Sequence, residues 1–302
     1  MQHVIGLDIG GANLKAAHSD GPCRSSPFAI WRSPDRLVEE LRELLGDWLP
    51  CAGIALTMTA EIADCFANKC DGVTIIVNTV AELAGQTPVA VWQTSGEFVT
   101  PDIAIEFPML TSAANWHALA TFVGRIVPDE TALLIDIGST TTDIIPIELG
   151  LPTPTGRTDR DRLLSGELVY SGVRRTPLCA IAHSVPLGET YCPLAAELFA
   201  TTRDIYLLLG DVAEDATDRE TANGGPATRT AAFDRMARML CCDREELSDE
   251  QVERIAAFLA NVQQQRIRGA IDRVLNAIPG DCSAVLISGE GSFIAQRIVQ
   301  SH

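Results

Sequence analysis

Short apolar runs recur along the chain and predict buried β-strands. The first is Val-Ile-Gly-Leu-Asp at residues 4–8, and after a glycine turn the chain is expected to return as a strand over 12–17. The same reasoning predicts further strands at 53–56, 73–77, 89–92, 132–137, 142–147 and 284–288. Strands of this kind, separated by helical segments, favour an α/β protein.

Apolar residues at helical spacing predict helices between these strands. A stripe over 37–48 follows Ser33, a residue type that suits a helix N-cap. Ser112 is expected to cap a second helix that runs to about residue 124. The segment from about 178 to 278 is expected to be mainly helical, and an apolar stripe over 252–274 marks its last helix.

One short segment of the chain occurs twice. Leu-Asp-Ile-Gly-Gly-Ala-Asn at 7–13 matches Ile-Asp-Ile-Gly-Ser-Thr-Thr at 135–141, and an offset of 128 residues separates Asp8 from Asp136. Both copies lie in a strand–turn–strand context, so the repeat indicates a duplicated domain. The predicted domains are a first lobe over 1–130 and a second lobe over 131–302 with a mainly helical insertion at about 178–278.

Composition excludes several classes of protein. The 302 residues carry a net charge of −17, whereas nonspecific nucleic-acid binding needs a basic face. No apolar run is long enough for a membrane-spanning helix, and the residues before the first strand predict no secretory leader. The nine cysteines include no CxxC pair, which favours reduced thiols over a metal site. We therefore expect a soluble cytoplasmic protein that binds neither nucleic acid nor a membrane.

The first copy of the repeat has the chemistry of an anion and metal site. Asp8 ends a strand and suits a magnesium ion held through water. Gly10 and Gly11 allow backbone N–H groups to approach a phosphate, since no Cβ is in the way. Asn13 and Lys15 alternate on one face of the returning strand, where Lys15 supplies a positive charge. The alternative is a plain β-hairpin with a surface lysine.

The second copy has the same layout with different side chains. Asp136 is the second candidate magnesium ligand, and Asp143 stands where the first copy has its lysine. Asp143 is a candidate base or water-mediated metal ligand, or otherwise an exposed acid on a strand. The candidate phosphate-binding residues of this loop are Gly138, Ser139, Thr140 and Thr141.

Three further features are candidate parts of the site. Gly289 and Gly291 form a glycine turn between a strand and a helix, a context that suits a diphosphate or adenosine contact. Arg174 and Arg175 suit phosphate oxygens, although a solvated loop balanced by nearby acids is the alternative. Glu61 follows a strand end and is a candidate base or metal ligand, or an ordinary acid in the first turn of a helix.

Together the three glycine elements resemble the phosphate-1, phosphate-2 and adenosine motifs of the actin, sugar-kinase and heat-shock ATPase superfamily. The resemblance implies an α/β fold with duplicated ribonuclease-H-like lobes and a cleft between them. The expected cofactor is Mg²⁺, and whether the glycine loops hold ATP or the diphosphate of a substrate is left open. Because the pseudo-twofold of such a fold brings equivalent strand ends together, Asp8 and Asp136 are expected to approach each other to within about one hydrated cation.

A closer resemblance is carried by longer strings of residues. Thr57–Phe66 (TMTAEIADCF) and Gly166–Pro177 (GELVYSGVRRTP) resemble the hydantoinase/oxoprolinase-related proteins linked to tetrahydromethanopterin-dependent one-carbon transfer. Archaeal relatives in that family make methanofuran by joining a furanmethyl diphosphate to γ-glutamyltyramine. The resemblance therefore implies a transferase with a small-molecule diphosphate and a phenolic amine as substrates. Asn223 departs from the family pattern, which has an aspartate there.

Two other functions remain open at this stage. The same motifs suit an ATP-dependent kinase or a hydantoinase/oxoprolinase-like amide hydrolase. A nucleotide sensor without turnover is the second alternative, because the sequence shows no obvious base. Assembly into a homo-oligomer is also left open.

Overall fold

The structure is a computed structural model, and it describes residues 3–301. Contacts divide the chain into two compact units, Met1–Asp129 with Leu149–Asp161, and Glu130–Glu148 with Arg162–His302. The sequence predicted lobes over 1–130 and 131–302, whereas in the structure residues 149–161 belong to the first unit. Each unit is described below by itself.

Unit 1 is built on a six-stranded sheet with the order β3-β2-β1-β4-β5-β6. Strands β1, β2 and β3 are antiparallel neighbours, whereas β4 is parallel to β1 and to β5. Its strands are β1 (Val4–Ile9), β2 (Asn13–His18), β3 (Cys23–Pro27), β4 (Gly53–Met58), β5 (Val89–Trp92) and β6 (Phe98–Val99), and the short strand β9 (Leu151–Pro152) also falls in this unit. Its helices are α1 (Leu37–Leu45), α2 (Lys69–Ala84), α3 (Pro101–Glu106), α4 (Pro108–Thr111) and α5 (Asn115–Gly124).

Unit 2 repeats the start of this topology in the strand order β10-β8-β7-β13. Strand β8 is antiparallel to β7 and β10, and β13 is parallel to β7. Its strands are β7 (Thr131–Ile137), β8 (Thr142–Glu148), β10 (Leu168–Val169), β11 (Ser184–Leu187), β12 (Thr190–Pro193) and β13 (Ala284–Ser288). The helices that follow are α6 (Asp159–Ser165), in which the division between the units falls, α7 (Leu178–Ile181), α8 (Thr202–Leu208), α9 (Arg229–Met239), α10 (Asp249–Leu275) and α11 (Ser292–Gln300).

The two sheets therefore contain the same core motif. Three antiparallel strands followed by a parallel fourth strand beside the first define the ribonuclease-H-like arrangement, and the duplicated α/β fold predicted from the sequence is confirmed. The registers are also equivalent, since Asp8 lies opposite Lys15 and Asp136 lies opposite Asp143. Each turn closes with the same hydrogen bond, from Gly10 N–H to the Asn13 carbonyl and from its counterpart Gly138 to Thr141.

The strand predicted at 73–77 is wrong, because these residues belong to α2. Val73, Ile76, Val77 and Val80 are fully buried whereas Ile75 is exposed, which is the spacing of a helix. The run of β-branched residues favoured a strand locally. Packing of one helical face against the unit 1 core outweighs that preference.

The helix N-caps predicted at Ser33 and Ser112 are also wrong. Ser112 does not cap α5, which begins at Asn115, and Ser33 makes no capping hydrogen bond with its side chain. His117 and Trp116, neighbours on α5, are both buried.

The segment 178–278 contains α7 to α10 and also the hairpin β11–β12. The predicted long helix is confirmed as α10. A capping box formed by Ser248 and Gln251 lies at its N-terminus. None of the helices within residues 3–301 is long and apolar enough to span a membrane.

Candidate functional site

The loop of unit 1 gathers polar side chains around Asp8. Thr57 Oγ1 donates to Asp8 Oδ1 at 3.4 Å, and Lys15 lies directly opposite on β2. Burial raises the pKa of Asp8, while the Lys15 charge and hydrogen bonds from Thr57 and Asn115 act in the other direction. The pKa of Asp8 is therefore raised although a cation and two donors lie nearby, and a bound cation would lower it.

This loop also offers backbone donors. Gly10 N–H closes the turn, and a Cβ at Gly10 would come within 2.9 Å of the Asn13 carbonyl oxygen, so the position needs glycine. Within residues 3–301, the N–H groups of Gly11 and Ala12 donate to no other protein group. They are available to an anion, as the glycine pattern predicts.

In unit 2, the segment 171–176 packs on the equivalent loop and donates hydrogen bonds to its backbone carbonyl groups. The Ser139 carbonyl accepts hydrogen bonds from the N–H groups of Arg174 and Arg175, each at 3.0 Å. The Gly138 carbonyl accepts one from Val173 N–H at 2.9 Å. The carbonyl groups of Gly138 and Ser139 therefore accept hydrogen bonds. The N–H groups of Ser139, Thr140 and Thr141 donate to no other residue in the described part of the chain.

Gly172 lets this segment pack directly on the loop. A Cβ at Gly172 would lie 2.5 Å from Thr140 N and 2.6 Å from the Gly138 carbonyl oxygen, distances that real Cβ atoms do not adopt. The atoms in the way belong to the backbone and cannot rotate aside. Only glycine therefore allows the two segments to meet.

We expect the substitution Gly172→Ala to displace the loop and lower the free energy of unfolding by about 1–3 kcal/mol or more, the range for overpacked sites. Gly269→Ala is the matched control, because Gly269 lies on α10 with nothing within 4 Å of an added Cβ. In a helix that change stabilises by about 0.5–1 kcal/mol. Urea unfolding of the two variants measures both effects, and equal stability in them would contradict this account of Gly172.

A buried network that sequence reasoning missed supports the same segment. Gln263 Nε2 donates to Ser171 Oγ and to the Gly172 carbonyl, each at 2.9 Å, and Tyr206 OH donates to Gln263 Oε1 at 2.6 Å. Thr202 Oγ1 donates to the Gly172 carbonyl at 2.8 Å. The available signal was a glutamine in the apolar stripe of α10, since a buried amide needs partners.

The third glycine turn lies against the second loop. Gly291 N–H donates to the Ile137 carbonyl at 2.8 Å, and a Cβ on Gly289 would come within 2.7 Å of Asp136 Oδ1. Gly289 also has a φ of +87°, which favours glycine independently of the space. The structure therefore brings the predicted residues of this turn and of the second loop together.

The two adjacent arginines differ in their surroundings. Arg174 forms ion pairs with Glu290 at 2.6 Å and with Asp218 at 3.4 Å. A hydrogen bond from Arg203 holds the pKa of Asp218 at about 2, so this carboxylate stays charged. The guanidinium of Arg175 makes no ion pair or hydrogen bond within residues 3–301 and is half-buried. Arg175 is therefore the arginine of this pair that remains available to an anion.

Asp143 has an arginine partner. Arg162 Nη2 donates to Asp143 Oδ1 at 2.6 Å, and Arg162 is buried. This ion pair neutralises the acid that replaces the lysine of the first copy. A role for Asp143 as a base or a metal ligand stays a prediction.

Glu61 lies in a turn after β4 and is buried, whereas a first-turn helix acid would be exposed. Ser112 Oγ donates to Glu61 Oε1 at 2.5 Å. Burial raises the pKa of Glu61, and the Ser112 hydrogen bond and the Lys69 charge oppose that rise.

Asn223 has a structural place in unit 2. Its Oδ1 accepts from Gly225 N–H at 3.0 Å and from Arg235 Nη1 at 3.4 Å. An aspartate, which the family pattern led us to expect, would offer the same acceptor.

The described residues contain no preformed cluster of metal ligands. Among residues 3–301, no group of three or more His, Cys, Asp or Glu side chains is placed to hold a metal ion. Magnesium bound through water to one or two carboxylates does not require such a group. The expected approach of Asp8 to Asp136 stays a prediction.

Solved structures with a similar chain path include the nucleotide-free form of acetone carboxylase, with a TM-score of 0.49 and 11% identity over 91% of this chain and 63% of that one. Component A of the (R)-2-hydroxyglutaryl-CoA dehydratase of Acidaminococcus fermentans has a TM-score of 0.44 and 12% identity over 100% of this chain and 88% of that one. The fold follows from the strand order of the two sheets rather than from these distant likenesses.

Sequence comparisons are more specific. A curated relative from Methanocaldococcus jannaschii, named (4-{4-[2-(gamma-L-glutamylamino)ethyl]phenoxymethyl}furan-2-yl)methanamine synthase, is 35% identical over 302 residues, or 99% of this chain and 89% of the relative. A protein of the same name from Methanococcus vannielii is 36% identical over 137 residues, or 45% of this chain and 61% of that protein. A family model described as hydantoinase/oxoprolinase matches residues 53–301. The chain therefore belongs to the hydantoinase/oxoprolinase family.

Proposed function

We propose that this chain is a transferase that joins a furanmethyl group to a phenol in the biosynthesis of a methanofuran-type coenzyme. The product in the relatives' name contains a phenoxymethyl group on a furan, so an aryl ether bond links the two halves. The donor in this proposal is a furanmethyl diphosphate. The acceptor is a phenol derived from tyramine.

The reaction exchanges one carbon–oxygen bond for another. The bond between the furanmethyl carbon and the diphosphate breaks, and its electron pair leaves on the diphosphate oxygen. A lone pair of the phenolic oxygen forms the ether bond, and the phenolic proton is released. The protein must therefore stabilise negative charge on a leaving diphosphate.

The observation that carries this proposal is the set of unused donors in unit 2. Three consecutive backbone N–H groups, from Ser139 to Thr141, donate to no other described residue, and the Arg175 guanidinium, which has no partner within residues 3–301, belongs to the segment that supports them. Arginine and backbone N–H groups are the groups that bind phosphate oxygens. In unit 1, Lys15 and the N–H groups of Gly11 and Ala12 offer the same chemistry.

We also propose that Mg²⁺ takes part, with Asp8 and Asp136 as its carboxylates. Asp8 fits this role because burial disfavours its charged form and a cation would favour it. When bound, the ion would offset negative charge on the diphosphate. The role of the protein is to hold the two carboxylates at their strand ends, on β1 and β7.

The test is an assay of the purified protein with both substrates and Mg²⁺. We expect ether product and inorganic diphosphate to appear in equal amounts, and neither to appear when the phenol or the protein is left out. Folded protein that releases no diphosphate above the blank would contradict the proposal. The product is identified by mass spectrometry.

A second candidate function follows from the family description, which names hydantoinases and oxoprolinases. In that case the glycine loops would hold ATP, and the protein would be an ATP-dependent amide hydrolase or kinase. Calorimetry with ATP and Mg²⁺, followed by an assay for ADP, distinguishes the two. Tight ATP binding with turnover would favour this second candidate.

The remaining expectations belong to the same proposal. Small-molecule substrates follow from the transferase reaction. The link to tetrahydromethanopterin-dependent metabolism, a cytoplasmic location and the absence of nucleic-acid or membrane partners stay predictions.

A further inference from the structure

The backbone around Glu61 is fixed from two sides. The N–H groups of Thr59 and Ala60 both donate to the Ile9 carbonyl, at 2.9 and 3.1 Å, which ties the turn to the end of β1. Gly72 of α2 packs on the other side, where a Cβ would come within 2.5 Å of the Glu61 carbonyl oxygen. The position of Glu61 is therefore set by backbone contacts that leave little freedom.

The Glu61 carboxyl group is only half satisfied. The residue is 1% exposed, and Ser112 Oγ donates to Oε1 at 2.5 Å. The second oxygen, Oε2, is buried and has no hydrogen-bond partner within the described residues. Buried carboxyl oxygens are rarely left in this state because burial without a partner is unfavourable. A hydrogen-bond donor on a bound molecule would satisfy Oε2.

Ser112, which is the partner of Glu61, belongs to a strained segment that contacts two carboxylates. Ser112 contacts Glu61, and three residues later Asn115 forms a hydrogen bond with Asp8. Between them, the buried Ala113 has a φ of +48°, a conformation that a residue with a Cβ rarely adopts. Backbone strain of this kind is retained at functional sites. The segment therefore places Glu61 in the same neighbourhood of unit 1 as Asp8.

The charges that face Glu61 suit a proton acceptor. Lys69 and Asp159, which lie 3.8 Å apart, act on it in opposite directions, and Ser112 is its direct neutral partner. Burial has the largest influence and raises the pKa of Glu61. A carboxylate whose pKa is moved towards neutrality is a better general base at neutral pH than an ordinary one.

We propose that Glu61 is the base that accepts the phenolic proton of the acceptor, through Oε2, while Ser112 holds Oε1. This inference rests on the proposed transferase reaction, which releases one proton from the phenol. As the phenolic oxygen bonds to the furanmethyl carbon, the diphosphate leaves with the electron pair of the broken bond and the proton moves to Oε2. The proton then passes from Oε2 to water that enters when the products leave, and the carboxylate is restored.

Glu61→Gln tests the proposal because glutamine keeps the shape and an oxygen for Ser112 but cannot take a proton. We expect kcat to fall about a hundredfold with the phenol, within the usual range for loss of a general base, while KM changes little. The low-pH limb of the kcat profile, on which the wild-type rate rises with pH, should disappear. Glu43→Gln, an exposed glutamate on α1, is the control and should retain wild-type kinetics.

A ring-fluorinated acceptor separates a base from a merely structural residue. With several ring fluorines its phenol is largely ionised at neutral pH and needs no base, so the difference between wild type and Glu61→Gln should shrink to less than about fivefold. Arg175→Ala should remain impaired with both acceptors, because its defect lies in the leaving group. A structural role for Glu61 predicts equal losses with both phenols.

Two results would overturn the inference. Glu61→Gln could keep more than about a third of the wild-type kcat, or it could lose the same factor with both phenols. If the wild-type protein makes no ether from either phenol, the proposed function itself fails, and the role of Glu61 as a phenol base fails with it. The wild-type reaction with the fluorinated acceptor distinguishes these cases.

Discussion

Replacing Asp8 by asparagine is expected to abolish turnover and to stabilise the folded protein at neutral pH. Activity should fall by about a thousandfold, the upper end of the range for loss of one preorganised electrostatic contact, because the proposed Mg²⁺ loses a carboxylate. Asparagine keeps the size of the side chain and an acceptor for Thr57, which donates to Asp8 Oδ1 at 3.4 Å. The loss would therefore report on charge rather than on shape.

The stability gain follows from the pKa of Asp8, which burial raises above the ordinary aspartate value. Between the ordinary and the raised pKa, the folded state binds more protons than the unfolded state, so the free energy of unfolding falls as the pH rises. Asparagine lacks this dependence. The advantage of Asp8→Asn should be small near the ordinary aspartate pKa, grow as the pH rises through the raised pKa and persist above it.

Urea unfolding at about pH 4.5 and about pH 7.5 measures this difference, together with turnover at the higher pH. Asp35→Asn, a change at an exposed aspartate of the same unit, serves as the control and should alter neither quantity. Substantial activity in Asp8→Asn would contradict its role at the site. A stability gain that is equal at both pH values would contradict the burial argument.

Removing the Arg175 guanidinium is expected to lower kcat/KM by about 10²–10³-fold with little change in stability. The size follows from losing one donor to a developing negative charge. Stability should hold because this guanidinium makes no ion pair or hydrogen bond within residues 3–301, and its backbone N–H, which binds Ser139, is unchanged. Arg175→Lys keeps the charge but loses the planar fork, so an intermediate effect is expected.

The neighbouring Arg174 provides a matched comparison. Arg174→Ala breaks the partly exposed ion pairs with Glu290 and Asp218, so it should lower the free energy of unfolding by about 1 kcal/mol. Steady-state kinetics, calorimetry with inorganic diphosphate and urea unfolding of both variants test the contrast. Diphosphate binding that is unchanged in Arg175→Ala, or lost equally in both variants, would contradict the assignment of the anion contact to Arg175.

The duplicated fold was predictable because the repeat itself is local. Asp8 and Asp136 each end a buried strand and precede a tight turn, so adjacent residues define both copies. The glycine turn at 289–291 could be placed for the same reason, since it stands between a strand and a helix. These features depend on backbone conformation, which short segments specify well.

What could not be predicted depends on partners far apart in the chain. Ser112 reaches Glu61 across 51 positions, and Gln263 reaches Ser171 across 92. The sequence therefore could not distinguish Arg174, which has acidic partners, from Arg175. The error at 73–77 has the opposite cause, because a local preference of β-branched residues was outweighed by packing in the unit 1 core.

The arginine that accompanies Asp143 has a consequence for how the two copies could diverge. Asp136 and Asp143 face each other in register, an arrangement of like charges that is unfavourable without a counter-charge, and the buried Arg162 supplies one. The aspartate at this position therefore depends on the arginine, since Asp143 would otherwise lie opposite Asp136 without a counter-charge. Replacing Asp143 by lysine alone would place a lysine beside the buried Arg162, so reproducing the pairing of the first copy requires changes at both positions.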